Sequence, residues 1–126
     1  MTPEGWVKKD IKAWLNWLGW WYLMPVKERH GRVGVPDFIV CAGGIFLAIE
    51  AKRMGNERGA TERQKEELAA VAQCGGRQLV CTGLEQLKDY CYADPSIQAR
   101  LPRRGSQGEP QASSRASHAA TSALRI

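Results

Sequence analysis

Two β-prone apolar runs, Phe38-Ile39-Val40-Cys41 and Ile45-Phe46-Leu47-Ala48-Ile49, are joined by Ala42-Gly43-Gly44. That pattern specifies a β-hairpin. Glycine accepts the positive φ that both central positions of a type I′ turn require, so Gly43 and Gly44 are the expected turn residues. Ala42 then faces Ile45, and counting outward along both strands brings Asp37 opposite Glu50. Directly opposed side chains have Cβ atoms roughly 4.5–5.5 Å apart. Alternate strand residues share a face, which puts Lys52 on the side of Glu50. The register alone therefore gathers two carboxylates and an ammonium.

Two neighbouring carboxylates raise each other's pKa, and one Lys offsets only part of that repulsion. A hard divalent cation resolves it. Mg²⁺ uses one or two protein carboxylates and leaves positions for water and phosphate, and such an ion acidifies bound water and neutralises charge on a reacting phosphate. An isolated Glu-x-Lys on a strand is ordinarily a surface ion pair. Here Pro36-Asp37 and the hairpin register add a second carboxylate, which favours a metal site with Asp37 and Glu50 as ligands and Lys52 as its assistant.

Gly34-x-Pro36-Asp37, Glu50-x-Lys52 and the later Gln64 together resemble the VRR-NUC domain, a branch of the PD-(D/E)xK nucleases, and the small stand-alone phage-type members above all. The resemblance runs from about Thr2 to Tyr90. It implies a restriction-endonuclease-like α/β fold, a central mixed sheet flanked by helices, and metal-dependent hydrolysis of DNA phosphodiester bonds with Mg²⁺ or Mn²⁺. It also implies a backbone carbonyl ligand from Ala51, a motif Gln at Gln64 and an acid on the first helix. Glu4 is the candidate for that acid, with Asp10 the other acidic residue on the same helix. Thr61-x-x-Gln64 is in addition a capping box. Branched DNA such as a four-way junction is the implied substrate, and a homodimer the implied assembly. A nickase, flap or single-strand nuclease, a noncatalytic nucleic-acid-binding subunit and a structural ion-pair network are the competing readings.

Composition adds bounds. The 126 residues fit one domain, and a 44% hydrophobic content with five Trp can build a core. No apolar run reaches the eighteen or more residues of a membrane span, and the first residues lack the basic-then-apolar order of a signal peptide. The expectation is an intracellular, cytoplasmic protein of a bacterium or phage-infected host, with no membrane and no organic cofactor. Cys41, Cys74, Cys81 and Cys91 have neither metal-ligand spacing nor the look of a disulfide framework. His30 and His118 are too differently placed to form a ligand pair. The net charge is +5, and Lys27, Arg29, His30, Arg32, Arg53 and Arg58 lie around the motif in sequence as a phosphate-binding rim.

Along the chain the order reads α-β-β-α-β-α, an alternation suited to layered α/β folds. Helical spacing of Val7, Ile11, Trp14, Leu15 and Leu18 predicts a helix over about 4–18, and Trp20 to Met24 a short extended stretch. Of the aromatic cluster, Trp14, Trp17, Trp20 and Trp21 read as core, with Trp17 the one available to a partner chain. A helix follows Thr61 to about Gln73 with Leu68, Val71 and Ala72 inward, then a buried strand over 77–82 and a short helix over 84–90. The nuclease domain is thus expected over 1–93. Residues 94–126, rich in Ser, Ala, Gly, Pro and Arg, carry too little apolar surface to offset ordering entropy and are expected to be a disordered basic tail.

Overall fold

The computed structural model describes residues 1–27 and 31–116. Its elements are α1 (Pro3–Leu18), β1 (Tyr22–Leu23), β2 (Phe38–Ala42), β3 (Ile45–Ala51), α2 (Glu62–Gln73), β4 (Arg77–Cys81), α3 (Leu84–Ala93) and α4 (Pro95–Gln98). Helix α1 begins where the Thr2 hydroxyl accepts the Gly5 N–H at 3.0 Å and Pro3 occupies the first turn, and it ends at Gly19 with φ 73°. Each cap satisfies backbone groups that the helix itself leaves unpaired.

The strands form one mixed sheet in the order β1-β2-β3-β4, antiparallel except for the parallel pair β3-β4 that α2 connects. Ala42 opposes Ile45 and Phe38 opposes Ile49, as the hairpin count requires. Gly43 and Gly44 both have positive φ, at 61° and 97°. The chain is therefore an α/β protein with a four-stranded mixed sheet flanked by helices. No helix of the described residues is long and apolar enough to cross a membrane.

The core lies on one face of the sheet, where Phe38, Val40, Leu47 and Ile49 meet Val7, Ile11, Trp14 and Leu15 of α1 and Leu84, Leu87 and Cys91 of α3. Burying each such side chain contributes about 1.5–3 kcal/mol. Helix α2 covers β3 and β4 from the other side and buries only Leu68. Ala72, expected inward, is exposed. Strand β4 is half-buried except at Cys81, because it is a sheet edge rather than a central strand. Trp17 packs against the core beneath later residues, and Trp21 is the Trp left exposed, at 64%.

The expected disorder from residue 94 does not hold over 94–116. Ile97 and Ala116 are buried in the main core, and polar anchors do the rest. The Lys88 ammonium, 1% exposed, pairs with Glu109 Oε2 at 2.8 Å and donates to the Pro110 carbonyl at 2.8 Å. The Ser113 N–H donates to Asp10 Oδ2 at 2.8 Å, and the Tyr92 hydroxyl to the Pro102 carbonyl at 2.6 Å. Composition counts large apolar residues and misses tethers of this kind. The folded unit accordingly runs past 93 to at least 116, while residues 117–126 lie outside the described residues.

Candidate functional site

Asp37 immediately precedes β2 and Glu50 sits near the end of β3, so the hairpin delivers both to the end of the sheet away from its turn. They are 4% and 1% exposed. Asp37 Oδ2 accepts the Ala51 N–H at 2.8 Å, which fixes its rotamer from the facing strand. Asp37 Oδ1 takes the Lys27 ammonium at 2.7 Å and the Lys8 ammonium at 3.3 Å. Glu50 Oε1 accepts from Gln64 Nε2 at 2.8 Å and has the Lys52 ammonium at 3.9 Å and that of Lys27 at 4.0 Å.

Gln64 performs two tasks at once. Its Oε1 accepts the Thr61 N–H at 2.8 Å, and the Thr61 hydroxyl accepts the Gln64 N–H at 3.1 Å, completing the capping box that starts α2. Its remaining amide group reaches Glu50. The helix start is thereby locked to the carboxylate. Gly34 makes the close approach possible: it has φ 82°, and a Cβ there would lie 2.8 Å from the Arg63 carbonyl carbon and oxygen.

The two helix acids separate cleanly. Glu4 pairs with Lys8 at 3.3 Å and is joined through it to Asp37. Asp10 is instead committed to Ser113, so Glu4 is the acid associated with the cluster. Lys8 was not singled out from the sequence. Its only signal there is the Glu4-to-Lys8 spacing of one helical turn, which exposed helices carry routinely.

The rim residues divide. Lys27 belongs to the cluster itself. Arg32 is drawn to Glu67 of α2 at 3.0 Å, Arg53 is half-buried after β3, and Arg58 is exposed. Arg29 and His30 lie outside the described residues.

Electrostatics push the two carboxyls apart. Burial, followed by the Asp37 charge, raises Glu50 to about 7. Burial also pushes Asp37 upward, but the hydrogen bonds from Lys27 and Ala51 and the charges of Lys27 and Lys8 outweigh it and hold Asp37 below the usual carboxylate range. Lys8 loses from burial and gains more from Asp37 and Glu4, so its pKa is raised.

The donor set fits a hard divalent ion. Glu50 Oε2 is buried without a hydrogen-bond partner, an arrangement that costs free energy unless something supplies positive charge or a proton. Asp37 and Glu50 are the oxygen ligands available, consistent with an ion that needs only two protein carboxylates. Among the described residues no cluster of three or more His, Cys, Asp or Glu side chains is placed to bind a metal. No protein-family model, no characterised protein and no solved structure matches this chain.

Proposed function

We propose that the chain is a divalent-metal-dependent endonuclease that hydrolyses DNA phosphodiester bonds, selective for branched DNA such as four-way junctions, on a restriction-endonuclease-like PD-(D/E)xK core. The observation that carries this reading is the convergence of buried Asp37 and Glu50, with the bare Glu50 Oε2, beside the Lys52 ammonium. Asp37, Glu50 and the Ala51 carbonyl would hold Mg²⁺ or Mn²⁺. The ion would supply charge neutralisation at the phosphate and an acidified water.

The chain's own residues do the remainder. Gln64 and the Ala51 N–H hold the two carboxylates in place before substrate arrives, which is preorganisation of the kind that speeds a reaction without cost at the moment of reaction. Lys52, anchored near Glu50, donates toward the attacking water or the phosphate oxygens. Glu4 acts from α1 through Lys8. Lys27, Arg29, His30, Arg32, Arg53 and Arg58 supply phosphate contacts. An intracellular homodimer, by its two-fold symmetry, would present paired sites to two strands of a junction.

The experiment is a cleavage panel of end-labelled four-way junction, flap, nicked duplex, linear duplex and single strand, each with Mg²⁺, Mn²⁺ or EDTA. Metal-dependent junction cleavage that disappears in Lys52→Ala supports the proposal. Preference for a flap or single strand would move the specificity and keep the chemistry.

One observation favours a second reading. Glu4, Asp37 and Glu50 are matched by Lys8, Lys27 and Lys52, which is also how a structural ion-pair network is built. In that case Mn²⁺ would leave the thermal stability of the protein unchanged.

A further inference from the structure

With Glu50 ionised, the cluster is charge-balanced, with three carboxylates against three ammonium groups. Adding a divalent ion with Glu50 ionised leaves two positive charges in excess. Something must move or something negative must arrive.

The three lysines are not equivalent. The Lys52 side chain is 12% exposed, whereas those of Lys8 and Lys27 are 30% and 49% exposed and can swing into solvent. Both of the latter converge on one oxygen, Asp37 Oδ1, and Lys27 also lies 4.0 Å from Glu50 Oε1. That position between the carboxylates is where a cation shared by Asp37 and Glu50 belongs. A lysine on a long flexible stem behaves as a mobile point charge and is a good phosphate partner.

We propose that Lys8 and Lys27 are exchangeable counter-cations, which leave Asp37 when a divalent ion binds and take a DNA phosphodiester instead, so that metal and DNA bind cooperatively. The proposal rests on the metal-nuclease reading and names a role within it for Lys8, which no motif assigns. Before loading, the two ammonium groups neutralise Asp37 and compete with the ion. After loading, they complement the phosphate, whose charge offsets the excess left by the ion. By linkage, DNA must raise metal affinity by the factor that metal raises DNA affinity.

The test titrates Mn²⁺ calorimetrically into wild type, Lys8→Met, Lys27→Met and the charge-keeping Lys8→Arg and Lys27→Arg, without DNA. Removing a unit charge at this distance in a solvent-like medium is worth roughly a factor of ten. Each Met variant is expected to bind Mn²⁺ about five- to tenfold more tightly, and each Arg variant to stay near wild type. In a Lys52→Ala background at saturating Mn²⁺, fluorescence anisotropy should show a four-way junction bound several-fold more weakly when Lys8 or Lys27 is Met. A further arm compares Mn²⁺ affinity of the Lys52→Ala protein, with Lys8 and Lys27 intact, with and without junction, where DNA is expected to tighten Mn²⁺ binding.

If wild type binds Mn²⁺ and cleaves DNA, yet both Met variants bind the ion no more tightly and DNA leaves ion affinity unchanged, the counter-cation proposal is overturned and the nuclease stands. If wild type binds no Mn²⁺ with or without DNA, the nuclease reading fails and takes this proposal with it.

Discussion

Glu50 is held at a thermodynamic disadvantage that a single substitution can relieve. Its pKa rises from an ordinary 4.5 to about 7 in the folded chain, chiefly through burial and then through Asp37. Between those values the native state binds more protons than the unfolded state, so stability falls as pH rises through this window and stays low above it. Each pKa unit corresponds to about 1.36 kcal/mol, which gives a penalty on the order of 3 kcal/mol at pH 8. Glu50→Gln removes the charge and keeps an oxygen for the Gln64 amide. It places an NH₂ where Oε2 is bare, a group whose own burial costs about 1 kcal/mol. The net expectation is a metal-free variant about 2 kcal/mol more stable than wild type at pH 8. For a domain of this size that is several degrees in Tm. At pH 5, where wild-type Glu50 is protonated, the advantage should vanish. The assay is thermal unfolding in EDTA at both pH values, repeated with Mn²⁺, which should stabilise wild type by mass action and leave the variant unmoved. An identical difference in Tm at pH 5 and pH 8 would refute the argument, because no titration of Glu50 would then separate the two proteins.

Other substitutions probe the supports of the site and of the fold. Gly34→Ala puts a Cβ against the Arg63 backbone at a residue with φ 82°; the left-handed conformation alone costs about 1–2 kcal/mol, so urea unfolding should show a loss of at least that size, and a change below about 0.5 kcal/mol would contradict the close approach. Gln64→Glu keeps the acceptor of the capping box but deletes the donor to Glu50. Denaturant melts at pH 8 should therefore show it destabilised by about 1–3 kcal/mol, and wild-type stability there would mean that the Gln64 contact carries nothing. Glu109→Ala leaves the buried Lys88 ammonium with only the Pro110 carbonyl and the half-exposed Glu85 at 3.6 Å, a loss of about 2–4 kcal/mol, while the double variant Lys88→Met with Glu109→Leu should recover most of it. If Glu109→Ala unfolds at the wild-type urea concentration, the segment past 93 is not integral to the domain.

What could be read from the sequence was what short-range geometry dictates. The Gly43-Gly44 turn fixed the pairing of β2 and β3, and with it the meeting of Asp37 and Glu50, because one residue of slip would reverse every face. Thr61 and Gln64 announced the start of α2 through capping chemistry that spans only four residues. The losses came where distant parts of the chain meet. Lys8 was not singled out at all and Lys27 only as part of the rim; they come from a helix and a loop, and only the folded sheet brings both to Asp37. Strand β4 was expected to be buried because Leu79-Val80-Cys81 is apolar, yet its half-exposed place at the edge follows from topology that its own residues do not encode. The segment after 93 was misjudged for a different reason: a buried Lys88-Glu109 pair and the Asp10-Ser113 contact hold it, and charged or small residues in a Ser- and Arg-rich stretch ordinarily signal solvent.

If Asp37 and Glu50 form the proposed metal-dependent centre, phosphodiester hydrolysis depends on both of them. The most direct test compares wild type with Asp37→Asn on a labelled four-way junction in Mg²⁺, with circular dichroism confirming that both are folded. Wild type is expected to cleave until EDTA is added, and the variant to lose about a hundredfold or more in rate. Equal cleavage by the two proteins, or cleavage that persists in EDTA, would contradict it.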